Sequence, residues 1–148
     1  MGPRHRGREL AFQVLFQVDQ TGDGVNAVIA RFEGMKRANP EAAAFAEDLA
    51  VNAHHEREAL DALIVEAIEH WKLERLLSVD RVLLRLGAFE LSRRPAVPLE
   101  VVLDEMITLA RAYGSEESPA FVNGVLDRLA RRLRPGSTAA APSADREP

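Results

Sequence analysis

Apolar residues recur along most of this chain at spacings of three and four, which is the mark of helices that bury one face. Leu10, Ala11, Val14, Leu15 and Val18 form the first stripe, Phe12 and Phe16 widen it, and Gly22 ends it. Asp23 is placed to cap a second helix with Val25, Val28, Ile29 and Phe32 on its apolar side, and Gly34 weakens its far end. Asn39-Pro40 marks a break and a fresh start, since proline suits the first helical turn, where its missing N–H is not needed. Ala42, Phe45, Ala46, Leu49 and Ala53 then line one face, and Leu60, Leu63, Ile64, Ala67, Ile68 and Trp71 continue the pattern. These residues make either one long helix or two that part near Asn52 to His55, and two is the preferred reading.

The stretch from Ser78 to Arg94 is different in kind. Val79, Val82, Leu83, Leu84, Leu86, Ala88, Phe89 and Leu91 leave only narrow polar gaps, so a helix here is apolar almost all round and belongs at the centre of a bundle. Ser78 is placed to cap it and Arg93-Arg94-Pro95 to close it. Arg85 lies inside the run and needs a carboxylate or several carbonyls beside it, with Glu105 or Asp127 the candidates. Pro98 opens the next helix, with Leu99, Val102, Leu103, Met106, Ala110 and Tyr113 on one face and Gly114 as its stop. Ser118-Pro119 starts the last, whose stripe is Val122, Val125, Leu126, Leu129 and Leu133. The pattern predicts an all-α fold, a single-domain helical bundle of about seven helices over residues 1–135. Residues 136–148, rich in Gly, Ser, Thr, Ala and Pro without periodicity, read as a disordered tail.

Composition narrows the class. At 148 residues, 47% hydrophobic and 28% charged, the chain suits one globular domain. No stretch reaches the roughly 18 uninterrupted apolar residues of a membrane span, and the basic start lacks a secretory cleavage pattern. The absence of cysteine excludes disulfide scaffolds and thiolate metal sites, so a cytoplasmic address is expected. A net charge of −4 argues against indiscriminate coating of nucleic acid. Yet Arg4, His5, Arg6 and Arg8 crowd the start, and Arg128, Arg131, Arg132 and Arg134 crowd the end, so a local basic face is open to a nucleic-acid partner.

Candidate chemistry is sparse. His54-His55-Glu56, with His70 downstream, lacks the i, i+4 histidine spacing of a zinc-binding helix and reads as a solvated junction. No phosphate loop, serine elbow or paired carboxylates occur, so neither an enzyme nor a cofactor is expected. The N-terminal basic groups beside an aromatic-bearing helix make a phosphate footprint, because arginine offers forked hydrogen bonds to phosphate oxygens. Gly124 inside a strong helix calls for compensation, with close approach of another helix backbone the favoured cause. Asn123 either bonds a loop or presents its amide to a ligand. Phe121 is either a flank of the core or a stacking platform for a base. Glu117 is explained by the helix dipole, and it would repel phosphates if RNA passed there.

Taken together, RVLLRLGAFELSRR, VPLEVVLDEMITLARAYG and SPAFVNGVLDRLARRLRP resemble the NusB family of bacterial transcription antitermination factors, and RHRGRELAFQVLFQVD resembles its arginine-rich first helix. The likeness covers most of residues 4–135 and is strongest from Val79 onward. A similar helical domain also stands at the front of an RNA cytosine methyltransferase family, but no catalytic domain follows it in this sequence. The resemblance implies an all-helical bundle and binding of boxA-type single-stranded RNA together with the ribosomal protein NusE, in an RNA polymerase antitermination complex that serves ribosomal RNA operons among others. It implies RNA contacts at Arg4, His5, Arg6, Arg8 and Phe121, with Glu117 close by; in the RNA-binding reading Phe16 and Asn123 join Phe121 in contacting bases or sugars. Phe16 stands where the family often has tyrosine, which leaves stacking but removes a hydroxyl. Glu74 and Asp80 match acidic positions of the NusE-docking region. Some family members form homodimers that cover RNA-binding surface, and the sequence leaves this open.

The sequence is therefore read as a non-enzymatic RNA-binding adaptor. The competing reading is a helical protein–protein scaffold without direct RNA contact.

Overall fold

The computed structural model describes residues 2–136. Over these residues the chain is all-α, with eight α-helices, one 3-10 turn and no strand. The helices are α1 (Pro3–Thr21), α2 (Val25–Arg31), α3 (Glu33–Arg37), α4 (Pro40–His55), α5 (Arg57–Ala67), α6 (Ser78–Arg93), α7 (Leu99–Tyr113) and α8 (Ser118–Leu133), with the 3-10 turn at Leu73–Arg75. One helix more than the pattern suggested arises because Phe32 takes up extended geometry and separates α2 from the short α3. From position 137 on, the expected tail lies outside the described residues. Between Glu58 and Ala59 the chain divides into two compact units.

In the first unit α1 packs on α4, and α2 lies against both. Leu10, Ala11, Val14 and Val28 are fully buried between them, with Ala46 and Leu49 from α4. Gly22 ends α1 in the left-handed region at φ 77, and its N–H donates to Val18 O at 2.8 Å. Asn39 caps α4 as expected, its Oδ1 accepting from the Glu41 N–H at 2.7 Å. Asp23 does not cap α2. That place falls to Gly24, and the Asp23 carboxylate instead accepts from Arg31 Nη2 at 2.8 Å. The expected break after α4 falls at Glu56, where Arg57 Nη1 turns back to donate to His54 O.

In the second unit α6 is the central element. Val82, Leu83, Leu84, Leu86, Ala88, Phe89 and Leu91 are all buried, and α7 and α8 pack against it and against each other. Ser78 is the first residue of α6 rather than its cap, and no side chain caps that end. Arg81 fastens the preceding turn to the helix by donating to Leu76 O at 3.1 Å and to Ser78 Oγ at 3.2 Å.

The partner of Arg85 is neither Glu105 nor Asp127. Asp61 on α5 accepts a forked pair, Nε to Oδ1 at 2.7 Å and Nη2 to Oδ2 at 2.9 Å, while Asp127 is engaged by Arg131 one helical turn away. Trp71, placed by the pattern on the apolar stripe of α5, is 61% exposed. The helix stops at Ala67, so the phase that would have carried Trp71 inward is lost.

Candidate nucleic-acid interface

The N-terminal basic cluster is built on the first two turns of α1. Arg4 and Arg8 are one turn apart and both stand over the Phe45 ring of α4, at 5.5 and 5.3 Å from its centroid. Gly7 between them allows this approach, since a Cβ there would lie 2.6 Å from Phe45 Cδ2. Arg4 is exposed, whereas Arg8 is 3% exposed and belongs to the fold rather than to an open phosphate footprint. Arg6 is exposed and paired with Glu9 at 2.7 Å, an interaction that water and salt weaken readily. His5 is half-buried. Phe16, also half-buried, stacks obliquely on Phe12 with centroids 5.9 Å apart, and at helical spacing it shares the His5 side of α1, about 16 Å along the axis.

The head of α8 carries the other candidates. Glu117 is exposed at the cap position, and Phe121 follows one turn later, half-buried. Gly124 lies on the same side, three residues on. Asn123 is exposed and has no side-chain partner among the described residues, so its amide is presented rather than tied to a loop. Two positions apart on a helix do not face each other, so Asn123 and Phe121 occupy opposite edges of the exposed strip.

Close approach of another helix does not explain Gly124. A Cβ there would meet only Arg128 Nη1, at 3.9 Å. The tight glycine is Gly87 on α6, against Leu126 of α8. Gly124 thus leaves bare backbone beside Phe121, an open feature where the sequence pattern pointed to packing.

In the second basic cluster every arginine holds a carbonyl or carboxylate of the second unit, although Arg128, Arg131 and Arg132 stay exposed. Arg128 Nε donates to Ala67 O at 2.9 Å, and Arg132 pairs with Glu66 at 2.9 Å, so both hold the end of α5. Arg131 pairs with Asp127. Arg134 donates to four carbonyls, those of Val97, Leu91, Arg94 and Glu90, at 2.7–3.2 Å.

Of the two acidic residues expected at a docking surface, Glu74 is exposed on the 3-10 turn. Asp80 is 6% exposed in the first turn of α6, and this placement withdraws its carboxylate from the surface. Burial raises its pKa above the ordinary 3.8, partly offset by a hydrogen bond from the Ser118 side chain. Among the described residues no group of three or more histidines and carboxylates could hold a metal ion, and no helix is long and apolar enough to cross a membrane.

The helix order and the arginine-and-aromatic start of α1 define an all-α protein of a known architecture. NusB of T. maritima shares it, with a TM-score of 0.83 at 34% identity over 92% of this chain and 96% of that one. So does a chain in the crystal structure of antitermination factors NusB and NusE with double-stranded RNA, with a TM-score of 0.81 at 28% identity, covering 89% and 98%. The chain belongs to the NusB family, whose model matches residues 5–131. Among relatives, the transcription antitermination protein NusB of Sorangium cellulosum is 49% identical over 133 residues, which is 90% of this chain and 95% of that protein.

Proposed function

We propose that this protein is a non-enzymatic transcription antitermination factor that binds boxA-type single-stranded RNA jointly with NusE, within the cytoplasmic antitermination complex of RNA polymerase. Family membership supports the reading, as does the solved complex of a relative with NusE and RNA. The observation that carries it is the head of α8, where Phe121 stands beside the bare backbone of Gly124. An aromatic ring with open backbone beside it lets a base stack while its sugar comes close, and such stacking is worth ~1–3 kcal/mol per base. In the first unit Arg4 and Arg6 hold phosphates and His5 and Phe16 offer contacts along α1; in the second, Asn123 offers its amide to a nucleotide. Arg8 acts through Phe45, by ordering the start of α1. Glu117 limits affinity through its charge, and Glu74 serves the docked partner.

The test is a titration of labelled boxA-type RNA and a scrambled control, with and without NusE, at two salt concentrations. The expected result is sequence-dependent binding that NusE tightens. Arg4→Ala with Arg6→Ala should weaken binding and flatten its salt dependence, by about 0.7 in the log–log slope for each phosphate no longer held. Glu117→Gln should tighten it. Equal binding of both RNAs in every condition, with folded NusE, would replace this reading with the scaffold.

A further inference from the structure

The four arginines of the second basic cluster differ in what they leave over. Arg131 and Arg132 are paired with the carboxylates of Asp127 and Glu66, and all three nitrogens of Arg134 are taken by carbonyls. Arg128 gives up one nitrogen only. Its Nε donates to Ala67 O at 2.9 Å, the residue is exposed, and Nη1 and Nη2 have no hydrogen-bond partner among the described residues.

The place of this guanidinium is fixed from two sides. Ala67 holds its Nε, and its Nη1 lies 3.9 Å from where a Cβ on Gly124 would stand, so it borders the bare backbone there. Phe121, Gly124 and Arg128 follow one another at spacings of three and four, which keeps them on one side of α8. From ring to guanidinium is about 10 Å along the axis. Glu117, exposed at the cap, lies one turn beyond the ring in the opposite direction. A phosphate is thus repelled at one end of this strip and attracted at the other.

We propose that Arg128 holds a phosphate of the RNA whose base stacks on Phe121, so that the strand runs along α8 from the ring, over Gly124, to the guanidinium. The inference deepens the RNA reading of Phe121 given above and rests on it. With Nε already engaged, the Nη1–Nη2 edge still offers two parallel hydrogen bonds to phosphate oxygens. The bond to Ala67 O has removed part of the rotamer freedom that such a contact otherwise costs. Gly124 has its use here too, because a side chain at that position would stand where the sugar–phosphate backbone passes.

Arg128→Gln is the informative change, since its amide can still donate to Ala67 O while the charge and the fork are gone. Full-length protein with NusE is titrated with labelled boxA-type RNA over a range of salt concentrations, and urea unfolding is followed alongside. Arg128→Gln should bind about tenfold more weakly at low salt, as for a hydrogen bond to a charged group. Its log–log slope should fall by about 0.7, with the unfolding midpoint little changed. Arg128→Lys keeps the charge, so its slope should match the wild type while its affinity falls part of the way. In a second arm the RNA carries one neutral methylphosphonate at a time. At one position the loss seen with the wild type should vanish in Arg128→Gln, because the two partners of a single contact are then both removed.

An unchanged slope in Arg128→Gln, or a methylphosphonate profile identical to that of the wild type, would overturn the inference and leave Arg128 as a tie to the end of α5. Should Arg128→Gln not fold, Arg128→Lys decides the matter: its penalty should shrink at one methylphosphonate position and persist at the others, and an identical profile would count against the contact. Phe121→Ala separates the two readings. If it leaves binding unchanged, the reading on which the inference rests is overturned. If it weakens binding while Arg128→Gln does not, the ring keeps its role and the strand leaves it in another direction.

Discussion

Gly87 on α6 and Leu126 on α8 are packed so closely that a Cβ on Gly87 would lie 2.6 Å from one Leu126 methyl and 2.8 Å from the other. Leu126 is fully buried, so moving its side chain aside disturbs the core packed around it. Gly87→Ala should therefore destabilise the protein by about 1–3 kcal/mol, as overpacking does. Gly124→Ala, with nothing in its way, should stabilise it by up to about 1 kcal/mol. Urea unfolding of both variants measures the contrast, and the same Gly124 variant should bind RNA less well because a methyl group now occupies the approach to Phe121.

Asp61 and Arg85 form a forked pair whose side chains are 26% and 21% exposed. Asp61→Asn removes the charge from the forked pair and leaves at most one of its two hydrogen bonds in place. The expected loss is about 2 kcal/mol, in the range of hydrogen bonds to charged groups. Chemical denaturation checks it, and a loss below a few tenths would place the pair among surface interactions of little consequence.

Arg134 bonds the carbonyls of Glu90, Leu91, Arg94 and Val97. Leu91 O has no i+4 donor because Pro95 lacks an N–H, while Glu90 O and Arg94 O also accept from the Arg94 and Val97 N–H groups. Arg134→Ala should lower stability by about 2–3 kcal/mol. Arg134→Lys should recover less than half of that, since an ammonium cannot reproduce the fork. Thermal melts of the two variants give the comparison.

Asp80 sets a pH dependence. Its pKa in the folded protein is raised above the ordinary 3.8, chiefly by burial, so the folded state holds this proton more tightly than the unfolded chain does. The stability it contributes is fully present below the unfolded value and is lost as pH rises through the folded one. Relative to Asp80→Asn, the wild type should therefore lose stability as pH is raised from below that ordinary value toward neutrality. Paired melting curves across this window check the sign. A constant difference would mean that the carboxylate is not desolvated.

The apolar stripes of α1, α4, α6, α7 and α8 were legible in the sequence because a buried face imposes its period on the residues that form it. Gly22 and Asn39-Pro40 were legible too, since each acts on its own backbone. What could not be read is what depends on neighbours far along the chain. Asp61 is 24 residues from Arg85 in sequence, and nothing local distinguishes it from Glu105 or Asp127. Gly87 and Gly124 look alike as helical glycines, and only the crossing of α6 with α8 shows which one is tight. The arginines of α8 read as a basic face until the carbonyls and carboxylates they hold are seen. Asp80 matched an acidic docking position, and nothing local in the sequence showed that it is buried in the first turn of α6.

The grip of Arg134 on the end of α6 also has a bearing on synthesis. A chain emerging from the ribosome presents its N-terminal elements first, and the first unit can close on packing made entirely within its own residues. The second unit has no such freedom. The carbonyls at the end of its central helix wait for a side chain 41 residues beyond Arg93, so their final partner arrives only after the whole of α8 has been made. Translation thus builds the two halves on different schedules, and the half bearing Phe121 is the one that matures last.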